Sequence, residues 1–232
     1  MTKRFYERAE AFAGAEGHTV TLDGRSIRTP AKANLLVPTR ALAEAIAAEW
    51  NAQDDRIDHR SMVHMQLACT AIDGVCQNTD GVVDALVAYG ETDLLCYRAE
   101  GPAALVERQS REWQPLLDWA ESRYGVRFAV TSGIVPVDQP PETLAPLRAC
   151  VRALDPFRLT GLQALAGSLG SLVLALAVLE SRLSAAEAFA LSQLDEDHQT
   201  RQWGADEEAE QRKAAMLVDV QGSESYLRAL AG

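Results

Sequence analysis

Leu172–Leu179 is apolar at every position, and the apolar bias reaches back to Leu162, interrupted by Gln163, Ser168 and Ser171. A helix that is apolar on all sides has no face for water, so it lies at the centre of a domain or crosses a bilayer. The unbroken part is far below the ~20 residues a bilayer requires. It is therefore expected as a central buried helix, around which the rest of the chain must fold. Thr160 with Gln163 reads as a capping box, which predicts one continuous helix over 160–180. The small residues Gly167, Ser168, Gly170 and Ser171 leave room for neighbouring helices.

The elements that surround it are mostly helical. Thr39 is placed to cap a helix whose Leu42, Ile46 and Trp50 recur at i, i+4, i+8, closed by Gln53-Asp54-Asp55. Helical patterns follow at 61–76 and 80–89, while the type of the short run Leu94–Tyr97 stays open. Pro102 fits the N1 position of a helix with a Leu105, Gln109, Trp113, Leu116, Ala120 stripe that stops near Gly125. Phe128 to Val137 reads as either a lone strand or an extended linker, with Pro136, Pro140 and Pro141 marking a break there, and helices are expected after it at 142–154, 185–203 and 206–220.

The first 35 or so residues read differently. Asp23-Gly24 separates Thr19–Leu22 from Arg25–Arg28 as a two-residue type I′ hairpin, with Val20 opposite Ile27. Thr29-Pro30 ends the second strand. The expected class is α+β: a small β-rich domain with one helix over 1–60, then a larger helical domain over 61–232. An alternating βαβ pattern is absent, which argues against a doubly wound enzyme.

Composition narrows the function. Residues 1–60 hold nine Lys/Arg and nine Asp/Glu, so the net charge of −11 resides entirely in 61–232. Such a surface repels phosphate backbones and anionic lipid, so nucleic acid and membranes are poor partners and a basic or mixed protein surface suits it better. Cys69, Cys76, Cys96 and Cys150 form no CxxC pair and are expected as reduced, buried thiols. The opening residues form neither a signal nor a transit segment, so a cytoplasmic chain is expected.

The common nucleotide, metalloprotease and hydrolase motifs are missing, and neither a cofactor nor a metal is expected. One stretch stands out, Leu194 to Ala209. Ser184 with Glu187 is a capping box for its helix and Gly204 its stop. Glu196, Gln199 and Trp203 share one face of that helix. Asp195-Glu196-Asp197 falls in its middle, where three acids repel one another unless solvent or a cationic partner receives them. Asp206, Glu207 and Glu208 fall at the first turn of the next helix, where negative charge complements the dipole. A hydrolase using Asp195, Glu196 and His198 and a helical adaptor for some other partner are the competing readings, though no second cluster completes a catalytic site.

An ordered set of motifs runs through Lys3-Arg4-Phe5-Tyr6, Leu22-Asp23-Gly24-Arg25 with Thr29-Pro30, Glu49-Trp50, Thr92–Arg98, Trp113-Gln114-Pro115 and Gly170-Ser171-Leu172. The set ends in Leu194-Asp195-Glu196, Gln199, Trp203-Gly204 and Asp206–Ala209. It resembles the pattern of the F-type ATP synthase assembly chaperones that bind the α subunit of the catalytic head. The resemblance implies a β-rich domain joined to a helical one, no enzymatic activity, and a client: the unassembled α subunit, held by a free monomeric chaperone until the β subunit replaces it. Glu196, Gln199, Trp203, Asp206 and Glu207 are the expected partner-binding residues, with Trp50 added although burial explains it as well.

Overall fold

The computed structural model describes every residue except 1, 134, 205 and 232, and of 201–203 the backbone alone. The chain divides into two compact units, residues 1–79 with 155–161 and 222–232, and residues 80–154 with 162–221. The first unit therefore extends past residue 60 and takes in two later segments.

In the first unit, β1 (Thr2–Lys3) precedes β2 (Ala9–Gly14), β3 (Gly17–Leu22) and β4 (Arg25–Ser26), the last three forming an antiparallel sheet in that order. Asp23 (φ 48°) and Gly24 (φ 80°) both occupy the left-handed region that a type I′ turn requires. The expected register follows: the Ile27 N–H donates to the Val20 carbonyl at 3.0 Å, and both side chains are buried with Leu22. The helix α1 (Arg40–Asn51) starts where the Thr39 hydroxyl accepts from the Leu42 N–H, and it buries Leu42, Ile46 and Trp50. The Asn51 amide both accepts from the Ala9 N–H and donates to the Ala9 carbonyl, at 2.8 Å each, fixing the edge strand β2 to α1. β5 (Arg56–Ile57) pairs with β1, and α2 (Val63–Asp73) follows. The Glu49 carboxylate accepts from the His64 and Met65 N–H groups at the first turn of α2.

The remaining elements are α3 (Thr79–Glu91), a 3₁₀ turn at Leu94–Cys96, β6 (Tyr97–Arg98), α4 (Ala103–Tyr124), β7 (Thr131–Ser132, parallel to β6) and α5 (Pro141–Arg152). Then come α6 (Pro156–Leu169), α7 (Leu172–Leu179), α8 (Ala185–Ser192), α9 (Leu194–Trp203) and α10 (Glu207–Ala231). Pro102 is the N-cap of α4 rather than its first residue, and Gly125, at φ 70°, ends that helix.

The expected continuous helix over 160–180 is two helices. Asp155 caps α6 by accepting from the Phe157 and Arg158 N–H groups, so Thr160 lies inside the helix and its hydroxyl back-bonds to the Pro156 carbonyl. Gly170 (φ 63°) then breaks the helix, and Ser171 caps α7. The apolar run is central as expected, since Leu172 through Val178 are all buried. A Cβ added at Gly90 of α3 would come within 3.4 Å of Leu172 and 3.5 Å of Leu147, so this glycine sets how closely α3 approaches α7 and α5.

A fully buried carboxylate joins the break to the TDLLCYR segment. Asp93 accepts from the Leu95 N–H, the Ser171 hydroxyl and the Val173 N–H at 3.1, 2.7 and 3.0 Å. It thereby satisfies donors at the first turn of α7 that would otherwise be orphaned in the core. Desolvation outweighs these hydrogen bonds and raises its pKa from 3.8 to about 6.

The thiols are free, but only Cys69 and Cys96 are buried; Cys76 is exposed and Cys150 half-buried, contrary to expectation. Cys76 lies in a 3₁₀ turn, Val75–Gln77, that buries Val75 instead, and Cys150 lies on α5 beside the face that buries Leu147 and Val151. No helix among the described residues is long and apolar enough to cross a membrane.

Candidate docking surface

The acidic stretch takes its shape from a break that the sequence pattern conceals. The capping box starts α8 as expected, with the Ser184 hydroxyl and the Glu187 carboxylate each holding the other's backbone N–H. That helix ends at Gln193 (φ −95°, ψ 11°), and α9 begins at Leu194. Asp195, Glu196 and Asp197 therefore occupy the first turn of a helix rather than its middle. The positive end of the helix dipole relieves the repulsion that the sequence implied.

The break is held from α4. The Trp113 indole, fully buried, donates to the Leu191 carbonyl at 3.0 Å, satisfying an acceptor near the end of α8. Gln109, one turn earlier and also buried, accepts from the Ala99 N–H and donates to Asp195 Oδ1, each at 2.7 Å. The Arg98 guanidinium lies 5.3 Å from the Trp113 ring centre and donates to the Gln109 carbonyl at 2.7 Å. Asp197 pairs with Lys213 of α10.

Two of the three acids are thus committed inward and one is left out. Glu196 and Gln199, at i and i+3 on α9, are both exposed. Trp203 belongs to the same helix, but its side chain lies outside the described residues. Asp206 and Glu207 are exposed at the start of α10, where Asp206 accepts from the Glu208 N–H at 3.2 Å. Trp50 lies in the first unit, 6% exposed, edge-on to Tyr6 at 5.4 Å.

Asp195 is engaged by Gln109, Glu196 faces solvent, and the buried His198 Nε2 has no hydrogen-bond partner among the described residues. No group of three or more His, Cys, Asp or Glu side chains is arranged to hold a metal among the described residues. Sequence reasoning placed Gln109 and Trp113 on an apolar stripe and missed their polar role. A buried glutamine on such a stripe was the available signal, because a buried amide requires partners. Lys213 carried no comparable mark.

A family described as ATP12 chaperone protein matches residues 3–121, half of the chain. The chain is 26% identical over 206 residues to the mitochondrial protein atp12 of Schizosaccharomyces pombe, covering 82% of this chain and 69% of that one. The crystal structure of Atp12 from Paracoccus denitrificans is similar at 43% identity and a TM-score of 0.94, with 98% of each chain covered. A further crystal structure, of a protein from Agrobacterium tumefaciens, is similar at 41% identity and a TM-score of 0.95, covering 98% of this chain and 86% of that one.

Proposed function

Since the chain belongs to the ATP12 chaperone protein family, we propose that it is a non-enzymatic assembly chaperone of the F-type ATP synthase, binding the unassembled α subunit of the catalytic head until the β subunit displaces it. An unassembled ring subunit exposes apolar interface that aggregates unless shielded. The shield must release on demand, which favours a moderate, partly polar contact over an obligate apolar one.

The observation that carries this reading is the first turn of α9. Gln109 and Lys213 hold the side chains of Asp195 and Asp197, and Trp113 holds the Leu191 carbonyl near the end of α8, while Glu196 and Gln199 face solvent. A carboxylate on a fixed, rigid turn is suited to meet a cationic site on a client with little loss of side-chain freedom. Asp206 and Glu207 extend the acidic surface, and Trp203 is assigned as its anchor. The free protein is taken as a cytoplasmic monomer.

Glu196→Lys tests the reading. The expected outcome is an unfolding midpoint within about 2 °C of wild type, as for exposed substitutions, together with loss of protection of the purified α subunit against aggregation. Full protection by the variant would remove Glu196 from the docking surface. Co-purification of a different stoichiometric partner from the native host would favour the adaptor reading instead.

A further inference from the structure

We propose that the first unit carries a second client-binding surface of opposite character, a groove with an aromatic floor and an arginine rim that receives an extended, acidic and partly apolar segment of the client. This rests on the chaperone reading above and adds to it the chemistry of a distinct segment.

Two depressions of about 580 and 480 Å³ share Arg28 and Trp50 among their lining residues. Their walls are aromatic. Tyr6 and His59 stand edge-on to Trp50 at 5.4 and 6.0 Å, and Phe5, edge-on to Tyr6, is 69% exposed. A large phenyl left open to water beside a concave surface is characteristic of contact sites rather than of cores. The indole N–H of Trp50 is buried with no acceptor among the described residues. An incoming main-chain carbonyl is the acceptor such a group ordinarily finds.

The charges select the occupant. Arg25 and Arg28 are exposed on the lining, and neither forms an ion pair among the described residues. The carboxylate on that lining, Asp23, is already occupied by the Arg8 and Glu7 N–H groups, which hold its carboxyl below the usual range. The first unit as a whole is nearly neutral, with eleven Lys/Arg against twelve Asp/Glu, whereas the second has eleven against twenty-one. Guanidinium groups recognise carboxylates bidentately, so an acidic stretch repelled by the second unit finds its complement here. A second copy of this chain is a poorer occupant. It would bring its acidic unit to the groove head-to-tail, and such contacts propagate unless the rotation happens to close a ring. Two surfaces of opposite sign would also fix the orientation in which a client docks.

The test places a benzophenone photocrosslinker at Ser26, exposed on the groove, and separately at Gln199 on α9, each irradiated with purified ATP synthase α subunit. Crosslinks from Ser26 to an acidic segment of the subunit are expected. Arg25→Glu with Arg28→Glu should weaken binding about tenfold at low salt with an unchanged unfolding midpoint, while the paired Lys variant stays within about threefold. Capture from Gln199 but not from Ser26, with wild-type binding by the Glu pair, would overturn the groove and leave the chaperone reading intact. Crosslinks from Ser26 to a basic segment, or to a second copy of this chain, would also overturn it. If neither position captures the subunit and wild type does not retain it, the α-subunit reading fails and the groove proposal with it.

Discussion

The starts of α7 and α9 use one device in two settings. Each is a helix N-terminus supplied with carboxylate, and each follows a break in what reads as a longer helix. At α7 the carboxylate is Asp93, fully buried and holding three donors from the Leu95, Ser171 and Val173 positions. At α9 there are three acids, of which Asp195 and Asp197 are tied to Gln109 and Lys213 while Glu196 is left to solvent. Burial turns the device into architecture; exposure makes the same device available for recognition. The difference lies in what surrounds the helix end, since the dipole at both ends has the same sign.

The sharpest way to break this contrast is Asp93→Ala, which strands three buried donors and leaves a cavity. Chemical denaturation should show a loss of about 3 kcal/mol or more; a loss under about 1 kcal/mol would mean that the cap is dispensable. Protonation probes the same carboxylate more gently. Its folded pKa is raised to about 6 from 3.8, so the fold favours the protonated acid. The Asp93 contribution is then fully present below pH ~4, declines as pH rises towards 6, and is flat above. Carbon-detected titration of the Asp93 carboxyl should give a midpoint near 6, and a midpoint near 4 would refute the desolvated setting.

At α9 the effects should be smaller. Gln109→Ala removes the partner of Asp195 and of the Ala99 N–H, with an expected loss of about 2 kcal/mol and a rise in backbone exchange over 194–200. Unaltered exchange there would show that the tether does not fix the turn. Lys213→Ala, which cuts a half-exposed ion pair, should cost less than about 1 kcal/mol, fading in high salt. A larger loss would place Asp197 with the buried kind of cap.

Much of the architecture was legible because its causes are local. The hairpin register followed from Asp23-Gly24, the start of α1 from Thr39, the start of α8 from Ser184 with Glu187, and the face of α4 from its stripe. In each case the residues that decide the geometry lie within a few positions of it. The breaks at Gly170 and Gln193 were not legible. Leu- and Ala-rich sequence favours continuing the helix on both sides, and the groups that stabilise the interruptions come from far along the chain. Asp93 reaches Ser171 across 78 positions, Trp113 reaches Leu191 across 78, and Gln109 reaches Asp195 across 86. Reading 185–203 as a single helix therefore places the acid trio in mid-helix and leaves its repulsion unexplained.

By itself the sequence determined the α+β class, the buried apolar helix, the acidic excess after residue 60 and the family resemblance, because periodicity, capping boxes and charge are properties of neighbouring residues. Only the tertiary structure decided that Asp93 is a core acid, that two of the three acids on α9 are held inward, and that Glu196 is the one presented to solvent. A carboxylate's role is set by desolvation and by its hydrogen-bond donors, and both are supplied by residues that meet it only when the chain has folded.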